Sequence, residues 1–383
     1  MLPPLVEPGA PLAPQEIARY SRHLTLPQIG IDGQRRLKNA RVLAIGAGGL
    51  GSPVLLYLAA AGVGTLGVVD FDVVDESNLQ RQIIHTQSDV GRPKVRSAGE
   101  SIAALNPLIT VNTHEMALTA DNAVQLFAQY DVILDGTDNF ATRYLVNDAA
   151  ALAGKPYVWG SIDRFAGQVS VFWDAAPDGR GLNYRDLYPE PPPPGSVPSC
   201  ADGGVLGLVC GSVASFMGTE AVKLICGVGE PLLGRLLLYD ALAMTVRTVA
   251  ITKDPAVPAI TALGDYQALC GEQAGPSGSA LPELSASELS ALLAAGRPVA
   301  LIDVREPAEW RINRITGAQL LPRSAFDLAQ LPTDRPVVLY CKTGVRSAQL
   351  LATVLAAGFT DARHLTGGIA AWARQVEPDM SMY

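Results

Sequence analysis

Short continuous apolar runs alternate with stretches of helical period over the first two-thirds of the chain. Arg41-Val42-Leu43-Ala44-Ile45 reads as a buried strand, and residues 52–61 as the helix behind it. Leu66-Gly67-Val68-Val69-Asp70 is a second strand, and residues 110–113, 131–135, 157–159, 168–173, 236–239 and 245–252 read as further ones. Helical stretches fall at 13–38, from Lys94 to about 105, at 120–129, from about 141, and at 203–226. Residues 188–199 hold six prolines and cannot form a regular element, so they read as a surface loop delivering Cys200. After a Pro-, Gly- and Ser-rich stretch at 253–281, the apolar runs 299–303 and 337–341 and a helix at 347–357 predict a second parallel sheet. The expectation is an α/β chain: a doubly wound first domain at 1–252, a linker at 253–281 and a smaller α/β domain at 282–383.

Length and charge narrow the classes. The 383 residues suffice for two cores, and a net charge of −8 argues against nucleic acid as the main partner. Residues 1–13 lack the charged start and long apolar core of a signal peptide. Residues 203–219 are uncharged, but five glycines among those 17 positions favour a buried helix over a membrane span. Five scattered cysteines give no disulfide framework, which predicts a reducing, cytoplasmic setting.

Two stretches carry chemistry. Gly46-Ala47-Gly48-Gly49-Leu50-Gly51 lies between a strand and a helix, where glycines let the backbone approach a phosphate held by free helix N–H groups. Asp70 ends the next strand and suits a ribose hydroxyl. The polar loop 77–82, with Asn78 and Arg81, falls near the strand ends. Lys94 sits in the first turn of its helix, where the dipole prefers an anion, so an anionic ligand would remove the conflict. Asp138 follows the strand ending at Asp135 and suits a metal facing bound phosphates; the alternative is a helix cap. The second stretch is Cys341-Lys342-Thr343-Gly344-Val345-Arg346-Ser347. A cysteine at a strand end, followed by a short loop into a helix, meets inward-pointing N–H groups that stabilise a thiolate or persulfide, with Arg346 completing the cradle. The loop has one residue fewer than the phosphatase pattern, which favours sulfur over phosphate.

These motifs resemble, over residues 13–250, the MoeB/ThiF family of ubiquitin-activating-type enzymes, which adenylate small sulfur-carrier proteins. The matching stretches are Arg19-Tyr20-Ser21-Arg22-His23, the glycine turn, Asp70-Phe71-Asp72, the loop 77–82, Gly91-Arg92-Pro93-Lys94, Asp135-Gly136-Thr137-Asp138-Asn139 and Pro198-Ser199-Cys200. From 282 onward, Asp303-Val304-Arg305-Glu306 and the Cys341 loop resemble a rhodanese domain, and the fusion is similar to the bacterial molybdopterin-synthase sulfurylase type. The resemblance implies a Rossmann-like adenylation domain whose Gly46, Gly48, Gly49, Asp70, Asn78, Arg81, Lys94, Asp138 and Asn139 line an ATP–Mg²⁺ site. It further implies an Arg22 that reaches into the site of a second subunit, hence a homodimer, and a Gly-Gly-ended carrier as substrate. A persulfide on Cys341, loaded by a cysteine desulfurase or from thiosulfate, would attack the acyl adenylate and leave a thiocarboxylate. Cys200 would resolve the S–S bond, hold the carrier transiently, or be an ordinary loop cysteine.

One departure stands out. Many family members hold zinc between two Cys-x-x-Cys pairs, which would fall here at residues 183–186 and 267–270. Only Cys270 is a thiol, so no zinc is expected. Two other readings stay open: a nicotinamide-dependent oxidoreductase fused to a rhodanese, and an adenylyltransferase whose rhodanese domain only docks a sulfur donor. The carrier's pathway, whether molybdopterin, thiamine or tRNA thiolation, is not encoded in these motifs.

Overall fold

The computed structural model describes residues 2–192, 204–270 and 281–383, in two compact units, Met1–Gln273 and Ala274–Tyr383. Cys200 lies outside the described residues.

In the first unit the apolar runs become β1 (Arg41–Ile45), β2 (Thr65–Asp70), β3 (Thr110–Glu115), β4 (Val132–Asp135) and β5 (Tyr157–Asp163). They continue as β6 (Ala166–Phe172), β7 (Arg235–Asp240) and β8 (Thr245–Ala250), in one sheet of order β3-β2-β1-β4-β5-β6-β7-β8. The first five strands are parallel and the last three antiparallel. Strand order reverses at β1, which pairs β2 on one side and β4 on the other, and such a switch point opens a crevice at the strand ends. The register keeps those ends level, because Ile45 pairs with both Val69 and Asp135.

The apolar helix expected from residue 203 runs over Gly207–Cys226. Among the described residues it is the one helix long and apolar enough to cross a membrane. It packs instead on helix Gly51–Ala61 and on β5 and β6, with Val213, Met217 and Ala221 in the core. The helix expected over 13–38 is three pieces, Pro14–Arg19, Ser21–Leu24 and Gly30–Asn39. Pro27 has no N–H to continue a ladder, and Gly30 enters the third piece at φ +56°.

The stretch read as a linker contains a helical turn, Tyr266–Leu269, whose Tyr266 and Cys270 are buried in the first unit's core. The turn and residues 183–186 both belong to a polar network on helix Phe140–Leu152. Arg185 grips Asp148 with two hydrogen bonds of 3.0 and 2.7 Å, and the Tyr266 hydroxyl donates to the same carboxylate at 2.9 Å. Asn147 donates to Asp148 and accepts from the Tyr157 hydroxyl and the Tyr184 amide. Residues 183–186 and the turn at 266–269 are therefore tied to one helix by an ion pair and a phenol. Asp148→Ala leaves a half-buried guanidinium and a buried phenol without their acceptor. It is expected to cost the first unit about 3–5 kcal/mol, measured as the shift of its urea transition; a loss below about 1 kcal/mol, the value of a surface pair, would contradict this.

The second unit is a five-stranded, wholly parallel sheet: β9 (Glu283–Leu284), β10 (Ala300–Asp303), β11 (Gln319–Leu320), β12 (Val337–Tyr340) and β13 (Ala362–Leu365), in the order β11-β10-β12-β13-β9. β10 and β12 are buried along nearly their whole length, as their unbroken apolar runs require. Cys341 directly follows β12, and helix Val345–Ala356 starts four residues later.

Candidate active site

The glycine turn sits at the reversal point. Gly46 takes φ +90°, and its amide donates to the Val69 carbonyl at 2.7 Å, tying the turn to the end of β2. A Cβ on Gly51 would lie 1.9 Å from the Gly46 carbonyl oxygen, so only glycine lets the helix start this close to the strand. The Ala47 amide donates to Asp70 Oδ2 at 2.9 Å, and the Asp72 amide to Asp70 Oδ1 at 2.9 Å. Asp70 is thus fixed beside the turn with acceptor lone pairs to spare.

Around this turn the structure gathers most of the expected residues. A Cβ on Gly49 would fall 3.6 Å from Arg81 Cδ and 3.1 Å from Cys210 Sγ, so Arg81 crosses directly over the turn. Asn78 closes the short helical turn Glu76–Asn78, and its carbonyl accepts the Arg81 amide at 3.0 Å. Lys94 is buried and pairs with half-exposed Asp72 at 3.0 Å. The conflict between Lys94 and its helix dipole is relieved by Asp72, without a ligand. Gly136 packs against Leu50, bringing the loop after β4 to the same place. In that loop Asn139, not Asp138, caps helix Phe140–Leu152, its Oδ1 accepting the Thr142 amide at 2.7 Å. Asp138 is exposed, relieved of the capping role that was its alternative. Arg22 is exposed on the short helix Ser21–Leu24.

Sequence reasoning missed His85, which props the turn from below. Its Nε2 lies 3.1 Å from the Ala47 carbonyl and its Nδ1 2.8 Å from Ser97 Oγ. Burial lowers its pKa, as does the charge of Lys94, against the Ala47 hydrogen bond and the carboxylates of Asp89 and Asp70. The unfolded ring takes up a proton near its ordinary pKa of about 6.5, which the folded ring resists. Stability is therefore full above that pH and lost as pH falls below it; His114, also lowered by burial, acts in the same direction. The first unit's melting temperature is expected to fall between about pH 7.5 and pH 5.5. The non-titrating His85→Gln should show a shallower slope over that range; an unchanged slope would contradict the assignment.

In the second unit Cys341 is fully buried, and its sulfur accepts the Gly344 amide at 3.1 Å and approaches Ser347 Oγ at 3.6 Å. Gly344 holds φ +96° at the helix N-cap, which turns that amide inward. The loop's base is held by amides of Ile369 and Ala370 on the Cys341 and Lys342 carbonyls. Arg346 binds both oxygens of Glu309, each at 2.8 Å. Burial of Glu309 works against its charge, but hydrogen bonds from Arg346 and Tyr383 outweigh it and hold the carboxyl below its ordinary pKa. Glu309 escaped the sequence reading because it lies 37 residues from Arg346.

The ThiF family model matches residues 20–259 and the Rhodanese-like domain model residues 285–375. The chain is 67% identical over 388 residues to the probable adenylyltransferase/sulfurtransferase MoeZ of Mycobacterium tuberculosis, covering 100% of this chain and 99% of that protein. It is 50% identical to the sulfur carrier protein adenylyltransferase of Thermus thermophilus over 67% of this chain and 97% of that one. It is 39% identical to the adenylyltransferase and sulfurtransferase MOCS3 of Drosophila ananassae over 97% and 86%. Among solved structures, Escherichia coli MccB with ATP superposes with a TM-score of 0.55 at 21% identity over 63% of this chain and 73% of that one, a likeness of fold. With its reversal-point glycine turn in the first unit and its cysteine loop in the second, the chain belongs to the ThiF family and carries, later in its sequence, a rhodanese-like domain.

Proposed function

We propose that the chain adenylates the C-terminal glycine of a small Gly-Gly-ended sulfur-carrier protein with ATP and then converts it to a thiocarboxylate through a Cys341 persulfide. The observation that carries this reading is the pairing, in one chain, of a cation-flanked glycine turn with a cysteine whose sulfur accepts the Gly344 loop amide and the Ser347 hydroxyl. The carrier carboxylate attacks the α-phosphorus of ATP and pyrophosphate leaves. Arg81 over the turn and Lys94 beside it oppose the charge that builds on the departing group, and Asp70 receives the ribose hydroxyls. Gly46, Gly48 and Gly49 supply the close backbone approach, with Asn78 and Asn139 flanking it. Exposed Asp138 would hold Mg²⁺ together with the substrate phosphates, as this ion is commonly bound through one or two carboxylates plus phosphate oxygens. When bound there, Mg²⁺ would neutralise phosphate charge.

The terminal sulfur of the Cys341 persulfide then attacks the adenylate carbonyl and AMP leaves, giving an acyl disulfide. A thiolate attacks the Cys341 sulfur, the acyl-bound sulfur departs as the thiocarboxylate, and Cys341 is left in a disulfide that a dithiol reduces. Cys200 is the proposed attacking thiol. We further propose a homodimer in which exposed Arg22 serves the neighbouring subunit's nucleotide, and a cytoplasmic enzyme, in keeping with the free thiols of Cys210, Cys226, Cys270 and Cys341. Of the expected division at 1–252, 253–281 and 282–383, the first domain extends beyond 252 to take in Tyr266 and Cys270. A nicotinamide site would leave Arg81, which crosses over the turn, without a departing pyrophosphate to oppose. ATP–pyrophosphate exchange that depends on a Gly-Gly-ended carrier is the expected result; exchange without carrier, or none with any such carrier, would contradict the proposal.

A further inference from the structure

Tyr383 stands outside every motif discussed so far, yet it meets the sulfur loop from two directions. Its hydroxyl donates to Glu309 Oε1 at 2.6 Å and accepts from Arg305 Nη1 at 2.9 Å. Its ring lies under the ammonium of Lys342, with Nζ 4.4 Å from the ring centroid. Glu309 in turn carries Arg346 on both oxygens. Arg305 is anchored by Asp303, with both side chains fully buried and a 2.6 Å contact, and by Asn313. Asn313 also donates to the Ser381 carbonyl, so the segment bearing Tyr383 is itself pinned. One side chain thus touches the first cation of the loop directly and the second through a single carboxylate.

We propose that Tyr383 is a positioning residue for sulfur transfer, which fixes Lys342 through its ring and Arg346 through Glu309 so that both cations face an anionic sulfur donor at Cys341. The buried Asp303–Arg305 pair gives the phenol a rigid seat, and the phenol prevents Glu309 from rotating with its guanidinium partner. This inference rests on Cys341 being the persulfide carrier.

The test uses the full-length chain with thiosulfate as donor and cyanide as acceptor. Tyr383→Phe keeps the ring beside Lys342 and loses the bond to Glu309; it is expected to raise KM for thiosulfate about tenfold, the worth of one hydrogen bond to a charged group. Tyr383→Ala loses both contacts and raises it further. Carrier-dependent ATP–pyrophosphate exchange stays at the wild-type rate in both variants. A merely structural role would reduce the amount of competent enzyme and lower kcat with KM unchanged; that pattern, or wild-type kinetics in both variants, overturns the inference alone. A wild-type chain that moves sulfur to cyanide neither from thiosulfate nor from a cysteine desulfurase overturns the reading of Cys341, and the inference with it.

Discussion

A Cys341→Ala chain is expected to lose thiocarboxylate formation to below about one-thousandth of the wild-type rate, the scale on which removing a nucleophile acts. Its carrier-dependent ATP–pyrophosphate exchange should stay at the wild-type level. The sulfur of Cys341 is held by the Gly344 amide and set beside Ser347, and among the described residues it is the one thiol of the second unit. Alanine removes the sulfur proposed to carry the persulfide and disturbs little else, because β12 and helix Val345–Ala356 keep their backbone bonds. Retained thiocarboxylate formation would mean that the rhodanese-like unit only docks a donor.

The reverse dissociation is expected from Gly51→Ala. Its new Cβ would meet the Gly46 carbonyl oxygen at 1.9 Å, closer than any relaxation within the turn can absorb. The turn must open, which moves the helix start and the amides proposed to meet the phosphates. Misplacement on the scale of 1 Å costs on the order of a hundredfold in rate, so exchange should fall by at least that much. Sulfur transfer from thiosulfate to cyanide at Cys341 should be unaffected. Exchange within a few-fold of wild type would show that the nucleotide does not use this turn.

The glycine turn, the strands around it and the Cys341 loop were legible because each is a contiguous stretch whose apolar period or glycine spacing states its own geometry. Gly46 and Gly51 are five residues apart and constrain one another directly. What was not legible depends on contacts between distant positions. Glu309 and Tyr383 lie 74 residues apart in the chain, and His85 reaches a carbonyl 38 residues before it. A lone Glu or Tyr in sequence carries no mark of the partner it meets. The helix cap that the sequence offered as the alternative for Asp138 falls one residue later, on Asn139, whose extended backbone lets its side chain accept the Thr142 amide. Lys94 was correctly singled out as a cation at the wrong end of a helix, but its answer, Asp72, comes from the end of the neighbouring strand. The continuous helix expected over 13–38 failed because apolar recurrence at Ile17, Tyr20 and Leu24 says nothing of the break at Pro27 and Gly30.

The most direct test of the account is the intact mass of a Gly-Gly-ended carrier after incubation with the full-length chain, ATP and thiosulfate. The account predicts a carrier in which one carboxylate oxygen is replaced by sulfur, formed only when ATP is present. A carrier of unchanged mass, or one that gains sulfur without ATP, would contradict it.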